Sequence, residues 1–261
     1  MRIFKLFTLF VLVCPSLVSG QIPFRTIQNE AFKAGEILEY RIHYGFVEAG
    51  MARLEIKPVL SEINNRNCYH IIGTGQTKGA FDWFFRVRDR FESYLDIGAI
   101  MPWVFIRKVE EGDYRKSQHV TFDHIRKSAT SEKVTIPTPQ YVQDIISAFY
   151  FARTFDFGNA QPGTEFPIDA YLDDEVFPMI IKYIGKEKIS TNLGTFNCIK
   201  FRPMILEGRV FKEEEGMVVW VTDDKNRIVI RAEAEILVGS IKMDLKGYSG
   251  LANSLTSKVA K

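Results

Sequence analysis

The chain has 261 residues, 46% hydrophobic and 13% aromatic, which excludes wholesale disorder and supplies a sizeable core. Its 34 Lys and Arg face 32 Asp and Glu, and the counts become equal once Arg2 and Lys5 leave with the leader described next. That overall balance points to no nucleic-acid partner and to no acidic membrane surface.

Arg2 and Lys5 precede an uncharged apolar run, Leu6 to Val13, which Pro15 and Ser16 break. Val18-Ser19-Gly20 then offers small residues for cleavage ahead of Gln21, completing the layout of a secretory signal peptide over residues 1–20. The apolar run is shorter than the roughly 20 residues a spanning helix needs, so no transmembrane span is expected after cleavage. Cys14 lacks the small residues that precede a lipid-modified cysteine. Residues 21–261 are expected to form one β-rich domain.

Strand patterning starts at Leu38-Glu39-Tyr40-Arg41-Ile42-His43-Tyr44, where apolar and charged side chains alternate. A turn through Gly45 to Gly50 leads to Ala52, Leu54 and Ile56, alternating with Arg53, Glu55 and Lys57. Cys68 to Thr77 reads as a further strand, with Gly73 and Gly75 marking a bend or a close approach. Phe81 to Asp96 is the most aromatic stretch and reads as a strand carrying Arg86, Arg88 and Arg90 on one face. Pro102 opens a strand through Trp103 to Val109, and Glu110-Glu111-Gly112-Asp113 turns it into Tyr114 to Asp123.

One helix is expected over about 141–155, where Val142, Ile145, Ile146, Phe149 and Tyr150 recur at helical spacing. Thr138-Pro139 would cap its start, and Gly158 marks its exit. Strands return at Glu165 to Leu172, Val176 to Ile184, Thr195 to Pro203, Met217 to Thr222, Arg227 to Leu237 and Ser240 to Lys246. The fold class is therefore mainly β: a large antiparallel, strongly curved sheet with one central α-helix against its concave side. A barrel, a half-barrel or two packed sheets would each satisfy the pattern. Asn67-Cys68 and Asn197-Cys198 each open an alternating strand, and Gly35 and Gly163 precede them by similar distances. Two related halves, about 30–137 and 160–248, would then be joined by the helix.

No standard catalytic motif is present: no nucleophile elbow, phosphate loop or dinucleotide fingerprint. His43, His70, His119 and His124 show no metal-ligand spacing, and neither a metal nor a cofactor is expected. The pairs Glu110-Glu111, Asp173-Asp174 and Asp223-Asp224 sit beside turn signals and read as solvated turns. Arg86, Arg88 and Arg90 could grip an anion, with Trp83, Phe85 and Trp103 stacking on a sugar or covering an acyl chain. The alternative is an ordinary strand face paired to acids such as Glu92. Arg153, at the helix end, complements the helix dipole or serves the same ligand. Cys68 and Cys198 could bridge in an oxidising compartment or stay buried and free.

Gly35-Glu36-Ile37-Leu38-Glu39-Tyr40 through Ala49-Gly50-Met51-Ala52 resembles the opening of the bacterial exported family called domain of unknown function 3108. So do the helix line Asp144, Ser147, Tyr150, Arg153 with Gly158, and Val219-Trp220-Val221-Thr222-Asp223-Asp224 leading to Gly239-Ser240-Ile241. Ile228-Val229 stands where such proteins often carry proline, a local departure. The resemblance spans about residues 30 to 248. It implies export, a β-rich fold and a Gram-negative periplasm or envelope, and it carries no catalytic residues. The functional expectation is a non-catalytic protein binding an apolar or amphipathic ligand, a lipid or glycan, in the concavity of its sheet. The competing reading is an assembly partner of another envelope protein, with a hydrolase third.

Overall fold

The alternation read from the sequence becomes one continuous sheet in a computed structural model that describes residues 24–205, 216–237 and 239–260. The expected leader, with Cys14, lies outside the described residues. In chain order the strands are β1 (Ile37–Tyr44), β2 (Val47–Ile56), β3 (Ser61–Ile63), β4 (Arg66–Thr77), β5 (Arg88–Asp96), β6 (Pro102–Glu111), β7 (Tyr114–Asp123), β8 (Ser128–Thr130), β9 (Thr135–Pro137) and β10 (Gln143–Asp144). They continue with β11 (Glu165–Leu172), β12 (Glu175–Thr191), β13 (Gly194–Ile205), β14 (Met217–Thr222), β15 (Val229–Glu235) and β16 (Ser240–Ser249). Two helices interrupt them, α1 (Gly79–Phe84) and α2 (Ile145–Ala152).

The sheet order is β10-β11-β12-β13-β14-β15-β16-β1-β2-β4-β5-β6-β7-β8-β9, with β3 paired to β4. Every pairing is antiparallel except the short parallel contact of β10 with β11. The first and last strands meet, Tyr40 opposite Leu245, so the second half of the chain is laid edge to edge on the first. The ladder does not close. Side chains bridge the remaining gap: Arg107 of β6 and Lys116 of β7 both donate to Asp173, and Gln118 donates to Asp174 at 2.9 Å. Tyr171 also donates to Asp174, at 2.7 Å. The Asp173-Asp174 pair, read from sequence as a solvated turn, is therefore the latch of an incompletely closed barrel.

Helix α2 plugs the concavity. Residues Val142, Ile146 and Tyr150 join the core of the first half, together with Phe32, Ile71, Leu95 and Phe105. A second core gathers Tyr183, Phe201, Trp220 and Ile230 of the second half around Tyr40 of β1, and Phe149 packs against both cores. Gly73 explains itself here: a Cβ at that position would lie 3.0 Å from the Ile146 side chain, so glycine lets the helix approach the sheet.

Two expectations about helices need correction. The central helix is shorter than 141–155, because Tyr141 is left-handed (φ +69) and Gln143–Asp144 is extended against β11. Its cap is Asp144, whose side chain accepts the N–H groups of Ile146 and Ser147, both at 2.8 Å; Thr138 has no such role. Residues 79–84 are helical, so the first four residues of the strand expected from Phe81 belong instead to a second helix. Asp82 fastens that turn, accepting from Thr77 at 2.7 Å and from Arg88 at 2.6 and 3.0 Å.

Candidate functional site

The two faces of α2 differ in bulk, and that difference makes a cavity. Ile146 and Tyr150 fill the side toward the first half. Ile145, Ala148, Phe149, Ala152 and Arg153, at helical one-face spacing, look toward the second half. Two alanines on that face leave space that the larger residues opposite do not fill. The result is a cavity of about 290 Å³ between α2 and the concave side of β11–β15. Its walls are Ala170 and Leu172 of β11; Phe177, Met179 and Ile181 of β12; Phe201 and Pro203 of β13; Val219 and Val221 of β14; and Val229 of β15, with Phe157 beside them. Arg153 and Arg227 are the polar members of the lining.

These two arginines sit where both halves and the helix meet. Arg153 is 3% exposed and pairs with the fully buried Glu36 through two bonds of 2.6 and 2.8 Å. It also donates to the carbonyls of Asn226 (2.9 and 3.1 Å) and Ala31 (3.1 Å). Burial works against the charged guanidinium, but Glu36 more than offsets it, so the Arg153 pKa ends above the ordinary arginine value. Arg227 donates to the Arg153 carbonyl at 2.9 Å and lies over the Phe157 ring, 5.4 Å from its centroid. Burial lowers its pKa, and the neighbouring Arg153 adds to that effect. It forms no ion pair among the described residues, which leaves it the less neutralised cation of the cavity.

Of the residues singled out from sequence, the structure brings Arg153 alone to this cavity. The arginine row lies on the opposite half. Arg88 is tied to Asp82, and Arg90 to Glu92 at 2.8 Å, as ordinary strand-face pairing would have it. Arg86 is exposed in the connection before β5. Trp83 and Phe85 point outward from α1 and its exit, away from the concavity. Trp103 is buried in a small core with Met101 and Ala99, and its ring N–H donates to Asp96 at 3.1 Å. One edge of Trp103 faces a wider surface cleft, about 730 Å³, shared with Arg66, Thr121 and Asp123. That cleft is larger and about half polar, whereas the α2 cavity is apolar on nearly every side.

Cys68 and Cys198 do not bridge. Both are free and buried in different cores, and burial pushes each thiol up to about 12. Among the described residues no group of three or more His, Cys, Asp or Glu could hold a metal. No described helix is long and apolar enough to cross a membrane. Sequence reasoning missed Arg227 and the β11–β15 wall. The readable signal was the pair Ala148 and Ala152, four apart on one face of an otherwise bulky helix.

Comparison with known proteins extends this picture. Residues 39–246 match the family model described as protein of unknown function, DUF3108. No curated protein matches. Among solved structures, the chain is similar to a β-barrel-like protein of domain of unknown function DUF1849 from Brucella abortus. The TM-score is 0.56 at 7% identity, covering 88% of this chain and 99% of that one. Lower similarity links it to a chain from Parabacteroides distasonis provisionally described as a lipoprotein (TM-score 0.38, 13% identity, 87% and 100% covered). Another, from Bacteroides fragilis, is provisionally described as an exported protein with a YmcC-like fold (TM-score 0.37, 11% identity, 87% and 100% covered).

Proposed function

The chain belongs to the DUF3108 family of unknown function, and from that premise we propose that it is an exported, non-catalytic envelope protein that holds an acyl chain or similarly slender apolar group. The observation that carries this reading is the cavity between α2 and β11–β15. Its volume, about 290 Å³, is at the lower end of the roughly 300–1,000 Å³ range of ligand pockets. At ~24 cal/mol per Å³, an enclosed void of that size would forfeit about 7 kcal/mol. That is comparable with the whole stability margin of a domain, about 5–15 kcal/mol. The open mouth of the cavity reduces the figure, but the sign stands: an apolar occupant removes a cost. Apart from Arg153 and Arg227 the walls carry no hydrogen-bonding side chains for sugar hydroxyls, so the reading narrows from lipid or glycan to lipid. Arg227 gives an anionic end of such a ligand a cationic contact, since Arg153 beside it is already paired with Glu36. Export rests on the leader pattern of residues 1–20 and on the family resemblance, which also favours a Gram-negative periplasm or envelope.

The test is titration of delipidated protein, residues 21–261, with a fluorescent long-chain fatty acid, beside the Ala170→Phe variant. Ala170 is buried and faces the cavity, so phenylalanine fills space already present. The variant is expected to keep its far-ultraviolet spectrum, to melt no lower, and to lose binding by about tenfold or more. Equal binding by the two proteins would remove the cavity from consideration.

A further inference from the structure

Both arginines of the cavity stand at one end of it. Arg153 is the C-cap of α2, and Arg227 lies just before β15. The opposite end is apolar. There Ile145 opens α2 beside β11, because Asp144 is paired with Tyr171, and Leu172 and Phe177 line the wall. Arg153 and Arg227 also line a second, smaller recess of about 140 Å³, whose rim holds the exposed Glu30–Lys225 pair and Asp156. The two guanidinium groups therefore stand between an apolar interior and water.

They are not equally committed. Arg153 is held by Glu36 and by backbone carbonyls. Arg227 donates from Nη1 to the Arg153 carbonyl, and neither its Nε nor its Nη2 has a hydrogen-bond partner among the described residues. Glu30 and Asp156 are near enough to favour its charge. Neither pairs with it, since Glu30 meets Lys225 at 2.8 Å and Asp156 accepts from the Gly158 N–H at 2.9 Å. The preceding residue fixes its position: Asn226 is fully buried and donates to the carbonyls of Asn253 and Ser254 at 3.1 and 3.3 Å. A half-buried guanidinium with two free nitrogens on one edge presents a fork that matches a carboxylate.

Building on the acyl-binding reading, we infer that the cavity takes a single-chain carboxylate of about ten carbons, its head on Arg227 and its tail under α2 toward Leu172. The length comes from the helix. From Ile145 to Arg153 its axis advances about 12 Å. A saturated chain with bonds of about 1.5 Å and angles near 111° advances about 1.25 Å per carbon, so roughly ten carbons fill that span. One chain fits because the space is the slot left by Ala148 and Ala152, small for a ligand pocket. One free cation matches one negative charge, which favours a carboxylate over a phosphate monoester carrying about −1.5 to −2.

Delipidated protein, residues 21–261, is titrated by calorimetry at neutral pH with octanoate, decanoate, dodecanoate and tetradecanoate, and with 1-decanol. Affinity should rise about tenfold from octanoate to decanoate and then level off as further carbons find no wall. Decanoate should bind about tenfold or more tighter than decanol, and Arg227→Gln should bring that ratio close to one. The ratio is read within a single protein, so a loss of stability that weakens both ligands leaves it intact. Should Arg227→Gln not fold, the parent's ratio and chain-length series decide alone. Equal affinity of the parent for decanoate and decanol, or a ratio that Arg227→Gln leaves unchanged, overturns the placement of the head. An affinity that climbs at the same rate through tetradecanoate overturns the length. In those cases binding of both ligands that Ala170→Phe abolishes alike would still sustain the acyl cavity. Binding of none of the ligands would overturn both readings.

Discussion

Arg153 and Asp144 bound α2, and both do more than their sequence context announces. A cation at a helix C-terminus suggests interaction with the helix dipole, worth a fraction of a kcal/mol to about 2. In the fold the Arg153 side chain instead enters the interior and meets Glu36 and Asn226, which come from opposite halves of the chain. Asp144 is fully buried, capping the helix and accepting from Ser93 at 2.6 Å. Burial pushes its carboxyl up to about 6, against the pull of those hydrogen bonds. The folded state therefore holds the proton more tightly than the unfolded one. Stability from this group is greatest below the ordinary carboxylate pKa and is lost as pH rises through about 6. Asparagine can still cap but cannot titrate. Relative to the parent, Asp144→Asn should gain on the order of 2–3 kcal/mol in urea unfolding between about pH 4 and pH 7. A difference that does not vary with pH would refute the assignment.

Among elements, the interest lies in the seam. Strand β11 faces β6 and β7 across a gap that Arg107, Lys116 and Gln118 span by converging on Asp173 and Asp174, with Tyr171 of β11 holding Asp174 from its own side. Lys116 and Arg107 hold the Asp173 carboxyl below the usual carboxylate range despite its partial burial, which by itself raises it. Asp173 is 30% exposed, so each bond is worth little, about 0–1 kcal/mol, and the set about 1–2 kcal/mol. Asp173→Ala with Asp174→Ala should then speed amide hydrogen exchange in β10, α2 and β11 while leaving the β16–β1 ladder unchanged. Uniform acceleration throughout the sheet would mean that the seam has no local role. Helix α1 teaches a different point about elements. Aromatic alternation from Phe81 to Phe91 has the period of a strand, but Gly79 (φ +58) and the Asp82 contacts turn its first part into a helix that meets solvent.

For the molecule as a whole, we propose that the two halves are copies of one unit. Gly35 and Gly163 are left-handed (φ +87 and +94) and donate to Ile56 and Tyr183 at 3.0 and 2.8 Å. Ile97 and Asp223 donate to the carbonyls of Asn67 and Asn197 at 3.1 and 2.9 Å. Ile100 and Arg227 share an uncommon left-handed backbone (φ +47 and +48). The halves are nonetheless joined by the β16–β1 ladder and by the Glu36–Arg153–Asn226 cluster, so calorimetry should find one cooperative transition. Two separated transitions would show that each half folds alone. The local pattern of residues by itself determined the strands, their wet and dry faces, the presence of a central helix and the family, because alternation and helical spacing are written residue by residue. Only the tertiary structure decided that the sheet stays open at the Asp173-Asp174 latch and that Trp83 faces solvent while Trp103 is buried. It also decided that the cavity forms beside Ala148 and Ala152 and not beside the arginine row. Those outcomes depend on which distant strands the curvature brings opposite one helix face, and no local period encodes that.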